Sequence, residues 1–288
     1  MKAIVAALIL AIAGQTAAYR AEVEAFRARR EAEIGGPTGW AALSGLHWLT
    51  PGTHTVGRAA SNAVVLTAPS APDRLGVLTV RPDGVTLQVA PGVSATTGGR
   101  AATTIELRPD APAAPPVVVG SMTVAVITRG GRLALRVWDR QSPGRLAFSG
   151  LRWMPIDPKW RIEAAYVPHA PAPRLRILNV LNDTVNMLNP GAVEFTIAGQ
   201  AVRLEALLES DGDTQLFFMF RDATSGHETY GAGRYLYADA PVGGRVVLDF
   251  NRAMNPPCAF TTFATCPLPP AANRLAVRIA AGELDHPH

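Results

Sequence analysis

Glu228, Tyr230, Arg234, Asp249, Asn251 and Asn255 fall in one late stretch, Asp222 to Leu275, together with Cys258 and Cys266, the chain's two cysteines. Carboxylates serve as general bases, an arginine grips a carboxylate or phosphate, and amides orient a ligand or hold developing negative charge. Polar side chains are costly inside a fold unless paired, so such crowding marks either a site or a structural network. In the turn Asp222-Ala-Thr-Ser-Gly-His-Glu228, two readings of Glu228 stand open: a pocket carboxylate, or the ion-pair partner of an arginine. Asp222 and Thr224 suit local turn bonds, and the spacing is not that of a calcium-binding loop.

Arg234 in YGAGRYLY shares a strand face with Leu236. Turned inward it needs a carboxylate, from Asp249 or Glu228, unless it holds a ligand anion. Asp249 and Asn251 flank Phe250 at a strand end and point to the same side, next to the rigid turn Asn255-Pro256-Pro257-Cys258. These positions suit a rim that orients a ligand, or a hydrogen-bonded brace. Glu228, Asp249 and Arg234 are the candidate catalytic residues. Tyr230, Asn251, Asn255, Asn273 and His47 are the candidate ligand contacts. Zinc or copper would require His47, Cys258, Cys266 and a carboxylate to converge, and no metal is assigned. Signatures of serine hydrolases, zinc proteases and nucleotide-binding loops are absent, so the cofactor is unknown.

The elements that must position these groups are mostly strands. Residues 1–18, with one lysine, an apolar run from Ala3 to Ala13 and small residues before Tyr19, read as a secretory signal cleaved after Ala18. Periplasmic or secreted localisation follows, with no membrane span after signal removal. Val23, Phe26, Arg30 and Ile34 predict a helix over Tyr19–Ile34, stopped by Gly35-Gly36-Pro37. Short β-branched runs separated by Gly, Pro and Asp then predict β domains over 37–150 and 151–284, with a proline loop at Arg108–Pro116. AVEFTIAGQAVRLEALL predicts a hairpin turning at Ala198-Gly199-Gln200. The fold class is mainly β: an N-terminal helix, a sandwich, then an antiparallel barrel or sandwich. The formal charge of +4 is scattered, with no basic stripe, which argues against nucleic acid as a partner. Seven residues separate Cys258 from Cys266, and in an exported chain that pair suits a disulfide.

From Gly52 to Asp139 the pattern resembles a forkhead-associated sandwich. GTHTVGRAASNAVVLTAP, with Gly57-Arg58 and Asn62, is similar to that family's first hairpin, and DGVTLQV, TTGGRAA and GSMTVAVI follow in order. The loop at Ala71–Gly76 lacks the Ser and His that bind phosphothreonine, so the resemblance implies the scaffold without phosphopeptide reading. GWAALSGLHWL, FSGLRWMPIDPKWRIEA, DATSGHETYGAGRYLY, LDFNRAMNPPCAF and CPLPPAANRL resemble the domain of unknown function 1684 family over roughly residues 20–284. That resemblance implies cysteines in the same setting in members without an export signal. It thereby weakens the disulfide-only reading and raises a thiol, metal or buried-core role beside it. The functional expectation is a small molecule bound by a polar pocket in the C-terminal domain. The alternatives are a hydrolase with a Glu or Asp base and Arg or Asn stabilisation, and an envelope protein-interaction module.

Overall fold

The computed structural model describes residues 2–82, 84–110 and 114–286, with side chains from residue 15 onward. The side chains of the apolar run Ala3–Ala13, the centre of the proline loop at 111–113, and Asp83 of DGVTLQV lie outside the described residues. The chain divides into two compact units: Ala32–Gly150 with Phe260–Thr265, and the N-terminal residues to Glu31 with Leu151–Ala259 and Cys266–His288.

Helix α1 runs over Lys2–Gly35 and is longer than the expected Tyr19–Ile34. Nothing between Gln15 and Tyr19 breaks it, because Ala-rich sequence carries good helix propensity across the expected cleavage point. It ends at the Gly35-Gly36-Pro37 stop, as the sequence indicates.

The first unit holds β1 (Leu43–Leu49), β2 (Gly52–Gly57), β3 (Val64–Val65), β4 (Gly76–Arg81), β5 (Gly84–Val89), β6 (Ala95–Thr97), β7 (Arg100–Ala101), β8 (Thr104–Leu107), β9 (Val117–Val119), β10 (Met122–Arg129) and β11 (Arg132–Asp139). They form two sheets, ordered β1-β11-β10-β9-β6-β7 and β3-β2-β4-β5-β8. A shared core of Val56, Leu78, Leu87, Val124, Leu135 and Val137 draws on both, which makes a sandwich. The GLHWL segment, read from sequence only as a motif, is the edge strand β1.

In the second unit stand β12 (Arg161–Pro168), β13 (Arg174–Leu178), β14 (Thr184–Ile197), β15 (Gln200–Leu208), β16 (Leu216–Phe220), β17 (Arg234–Ala238) and β18 (Arg245–Asp249). The sheet order is β17-β16-β15-β14-β12-β18, with β13 on β14, curled into a half-barrel. The expected hairpin is β14–β15, closed by Ala198 and Gly199, both at positive φ. Strand β16 is apolar throughout because both faces are covered. Phe218 and Phe220 enter the half-barrel core with Leu204, Leu236 and Leu248, whereas Phe217 and Met219 join Ile177, Met187, Leu207 and Tyr235.

LAVRIAA, at 275–281, reads as a strand and is not one in the structure. Its alternation is real, with Val277, Ile279 and Ala281 buried. The polar backbone around Ile279 is satisfied by side chains instead of a ladder: the Ile279 N–H donates to Asp222 at 2.7 Å, and Ile279 and Ala281 carbonyls accept from Arg234.

Candidate functional site

Arg234 opens β17 opposite Phe220 and is fully buried. Gly233, at φ +106°, lets the chain enter there, since a Cβ would lie 2.6 Å from the Phe220 carbonyl. The arginine's carboxylate partner is Asp222, at 3.1 Å, not Asp249 or Glu228. Asp222 also accepts from the Thr224 hydroxyl at 2.8 Å, and Phe220 offers its ring face to the guanidinium at 5.1 Å. Burial pulls the arginine pKa down and the Asp222 charge opposes that. Every partner here is internal, so the arrangement fixes the exit of β16 against the entry of β17.

Glu228 lies at the surface, and Arg278 grips it bidentately at 3.0 and 2.7 Å. Its carboxyl is held below the usual range, first by the Arg278 hydrogen bond.

Asp249 and Asn251 do converge, by a 3-10 turn over Phe250–Arg252 that the Asp249 carboxylate caps at the Asn251 N–H. The same carboxylate accepts from the Tyr19 hydroxyl at 2.8 Å, and the Asn251 amide donates to the Asp157 carbonyl at 2.9 Å. Burial, then the bond to Asp249, push the Tyr19 pKa up. Two further α1 residues bind backbone on this side: Arg27 to the Asn251 carbonyl at 3.2 Å and Arg30 to the Asn255 carbonyl at 2.8 Å.

Asn255 is buried beside Glu283, whose carboxylate accepts the Asn255 N–H at 3.2 Å, and its amide donates to the Leu284 carbonyl at 2.8 Å. Arg30 approaches Glu283 at 3.8 Å. Burial raises the Glu283 pKa to about 7, against the lowering effect of Arg30 and of the Asn255 N–H. Asn273 spans β15 and β16, accepting from the Glu205 N–H at 2.7 Å and donating to the Glu205 and Met219 carbonyls, both at 2.9 Å.

Cys258 and Cys266 are free thiols, and the Cys258 N–H donates to the Cys266 sulfur at 3.0 Å. Tyr230 joins them by donating to the Cys258 carbonyl at 3.1 Å. His47 lies in the other unit, on β1, its Nε2 buried and its pKa lowered by burial. Among the described residues, no group of three or more His, Cys, Asp or Glu is placed to hold a metal ion.

The residues marked by the sequence thus sit in five internally bonded clusters and one surface ion pair, with His47 apart from all of them on β1. None of them lines the cleft at the β15–β16 turn. That cleft, of about 200 Å³, is walled by Glu209, Asp213, Thr214, Gln215, Phe217 and Tyr237. Tyr237 stacks on Phe217 with ring centroids 4.9 Å apart and donates to Glu209 at 2.9 Å. Burial, then the Asp213 charge, raise the Glu209 carboxyl pKa, opposed by the Tyr237 hydrogen bond. Its signal in the sequence is the acidic turn Glu209-Ser-Asp-Gly-Asp213 between two apolar strands, which reads as an ordinary solvated turn.

Residues 146–284 match the family model described as "Protein of unknown function (DUF1684)", which supports the family resemblance for that part of the chain. Among solved structures, the uncharacterized protein from gene locus rrnAC0354 of Haloarcula marismortui is 34% identical. The alignment covers 50% of this chain and 80% of that one, with a TM-score of 0.42. No curated protein matches.

Proposed function

We propose that this chain, whose residues 146–284 match a family of unknown function, is an exported small-molecule-binding protein. The carrying observation is the cleft of about 200 Å³ at Glu209 and Tyr237, where carboxylate, amide and hydroxyl groups converge beside a stacked aromatic pair. The volume is below the usual range of roughly 300–1,000 Å³ for drug-sized ligands, so the occupant is small. Two carboxylates and an aromatic wall favour a ligand with an ammonium group. Binding such a cation opposes the burial and the Asp213 charge that raise the Glu209 pKa.

Export fits the same reading. Tyr19, Arg27 and Arg30 all lie beyond residue 18, so removing residues 1–18 leaves their contacts with Asp249, Asn251 and Asn255 in the chain. Among the described residues, no helix is long and apolar enough to cross a membrane. The sandwich of the first unit serves as a forkhead-like scaffold, with the Asn62 amide bracing the Ala59 and Asp73 carbonyls at 2.8 Å each.

A thermal-shift screen of the chain from Tyr19 onward, using small amines with matched alcohols and acids, tests the reading. Saturable stabilisation by amines, lost in Glu209→Gln, is expected. A flat response to all three classes overturns it.

A further inference from the structure

We propose that Cys258 and Cys266 form a thiol–disulfide exchange pair in which Cys258 attacks an incoming disulfide and Cys266 resolves the adduct. This stands on the geometry of the two cysteines and is independent of the cleft.

The two cysteines are in direct contact. Their side chains are hydrogen-bonded, and the Cys258 N–H points at the Cys266 sulfur at 3.0 Å. The backbone on both sides is pinned: Tyr230 donates to the Cys258 carbonyl at 3.1 Å, and Tyr235 to the Pro267 carbonyl at 2.7 Å. Pro256 and Pro257 stiffen the approach to the 3-10 turn that carries Cys258.

The two thiols are not equivalent, and the difference sets the order of events. Cys266 is only 4% exposed, whereas Cys258 is partly open to solvent. The hydrogen bond from Cys266 lowers the Cys258 pKa, against burial and with help from Tyr230. The same bond, and then burial, raises that of Cys266. Cys258, partly exposed and with its pKa lowered, is therefore the better nucleophile of the two, since the thiolate is the attacking form.

In the first step, the Cys258 thiolate attacks one sulfur of a small or protein disulfide. A mixed disulfide forms and one thiolate leaves. Cys266 then gives up its proton to solvent and attacks the Cys258 sulfur, which forms the Cys258–Cys266 bond and expels the second thiolate. Two cysteine thiols are oxidised by two electrons and one disulfide is reduced to two thiols, so the exchange balances.

The test uses the chain from Tyr19 onward with oxidised glutathione as the probe. Intact mass after reaction should fall by about 2 Da, as expected for a closed disulfide, with both thiols lost to titration. Cys266→Ser should accumulate one glutathione on Cys258, and folded Cys258→Ser should stay unmodified. Should either variant fail to fold, iodoacetamide labelling of the reduced wild type replaces it, with Cys258 expected to react at least about tenfold faster. Equal labelling rates, adducts on Cys266 in Cys258→Ser, or thiols inert to oxidised glutathione each overturn the proposal.

Discussion

The Asp222 carboxylate and the Arg234 guanidinium meet at 3.1 Å with both side chains wholly shielded from solvent. The pair is knitted to the backbone of Ile279 and Ala281, so three segments distant in sequence depend on one ionic contact. A buried ion pair is costly to desolvate, and removing one partner strands the other charge.

Arg234→Met should therefore destabilise the second unit by roughly 3–5 kcal/mol. Pairing it with Asp222→Asn should recover part of that loss, because no bare charge remains. Urea denaturation of the single and double variants measures the coupling. Glu228→Gln, which breaks an exposed pair with Arg278, should leave the midpoint unchanged within error.

Glu283 makes stability depend on pH in a defined direction. Its folded-state pKa of about 7 exceeds the ordinary 4.5, so the folded protein holds this proton more tightly than the unfolded chain. The contribution is full below about pH 4.5, is lost as pH rises toward 7, and levels off above. The loss is on the order of 3 kcal/mol by proton linkage. Glu283→Gln should flatten this limb when unfolding free energy is followed from pH 4.5 to 8.

Tyr19 ties the start of the expected mature chain to Asp249 and Asn251. Tyr19→Phe should cost about 1–2 kcal/mol, the net worth of one or two such bonds. Truncation to begin at Arg20 should show the same loss relative to truncation to begin at Tyr19. N-terminal sequencing of exported protein should give Tyr19 as the first residue.

The strands were legible because β-branched runs between Gly and Pro turns follow directly from backbone sterics. The hairpin 192–208 and the doubly buried β16 are examples. The need of an inward-turned Arg234 for a carboxylate was legible too, from its place in an apolar strand. Its partner was not: Asp222 reads as a turn residue, and only the fold brings it beneath Arg234. The roles of Tyr19, Arg27 and Arg30 were hidden because their acceptors, Asp249 and the Asn251 and Asn255 carbonyls, lie more than two hundred residues away. The cleft stayed hidden for a related reason. Glu209 and Asp213 are ordinary turn residues until Tyr237, from another strand, closes over them.

Glu209 also gives the binding proposal a pH signature. Burial and Asp213 raise its pKa, and a cationic ligand favours the ionised form. Amine affinity should therefore rise as pH rises through the Glu209 titration, with protons released on binding. Calorimetry in buffers of different ionisation enthalpy would show that release. Glu209→Gln should remove the pH dependence along with most of the affinity.

The most direct measurement is an amide chemical-shift titration of the chain from Tyr19 onward with the amine that stabilises it best. Saturable shifts confined to Glu209–Phe217 and Tyr235–Asp239, absent in Glu209→Gln, are expected. Shifts centred instead on Asp222, Arg234 and Asp249, or no saturable shifts at all, would contradict the binding proposal.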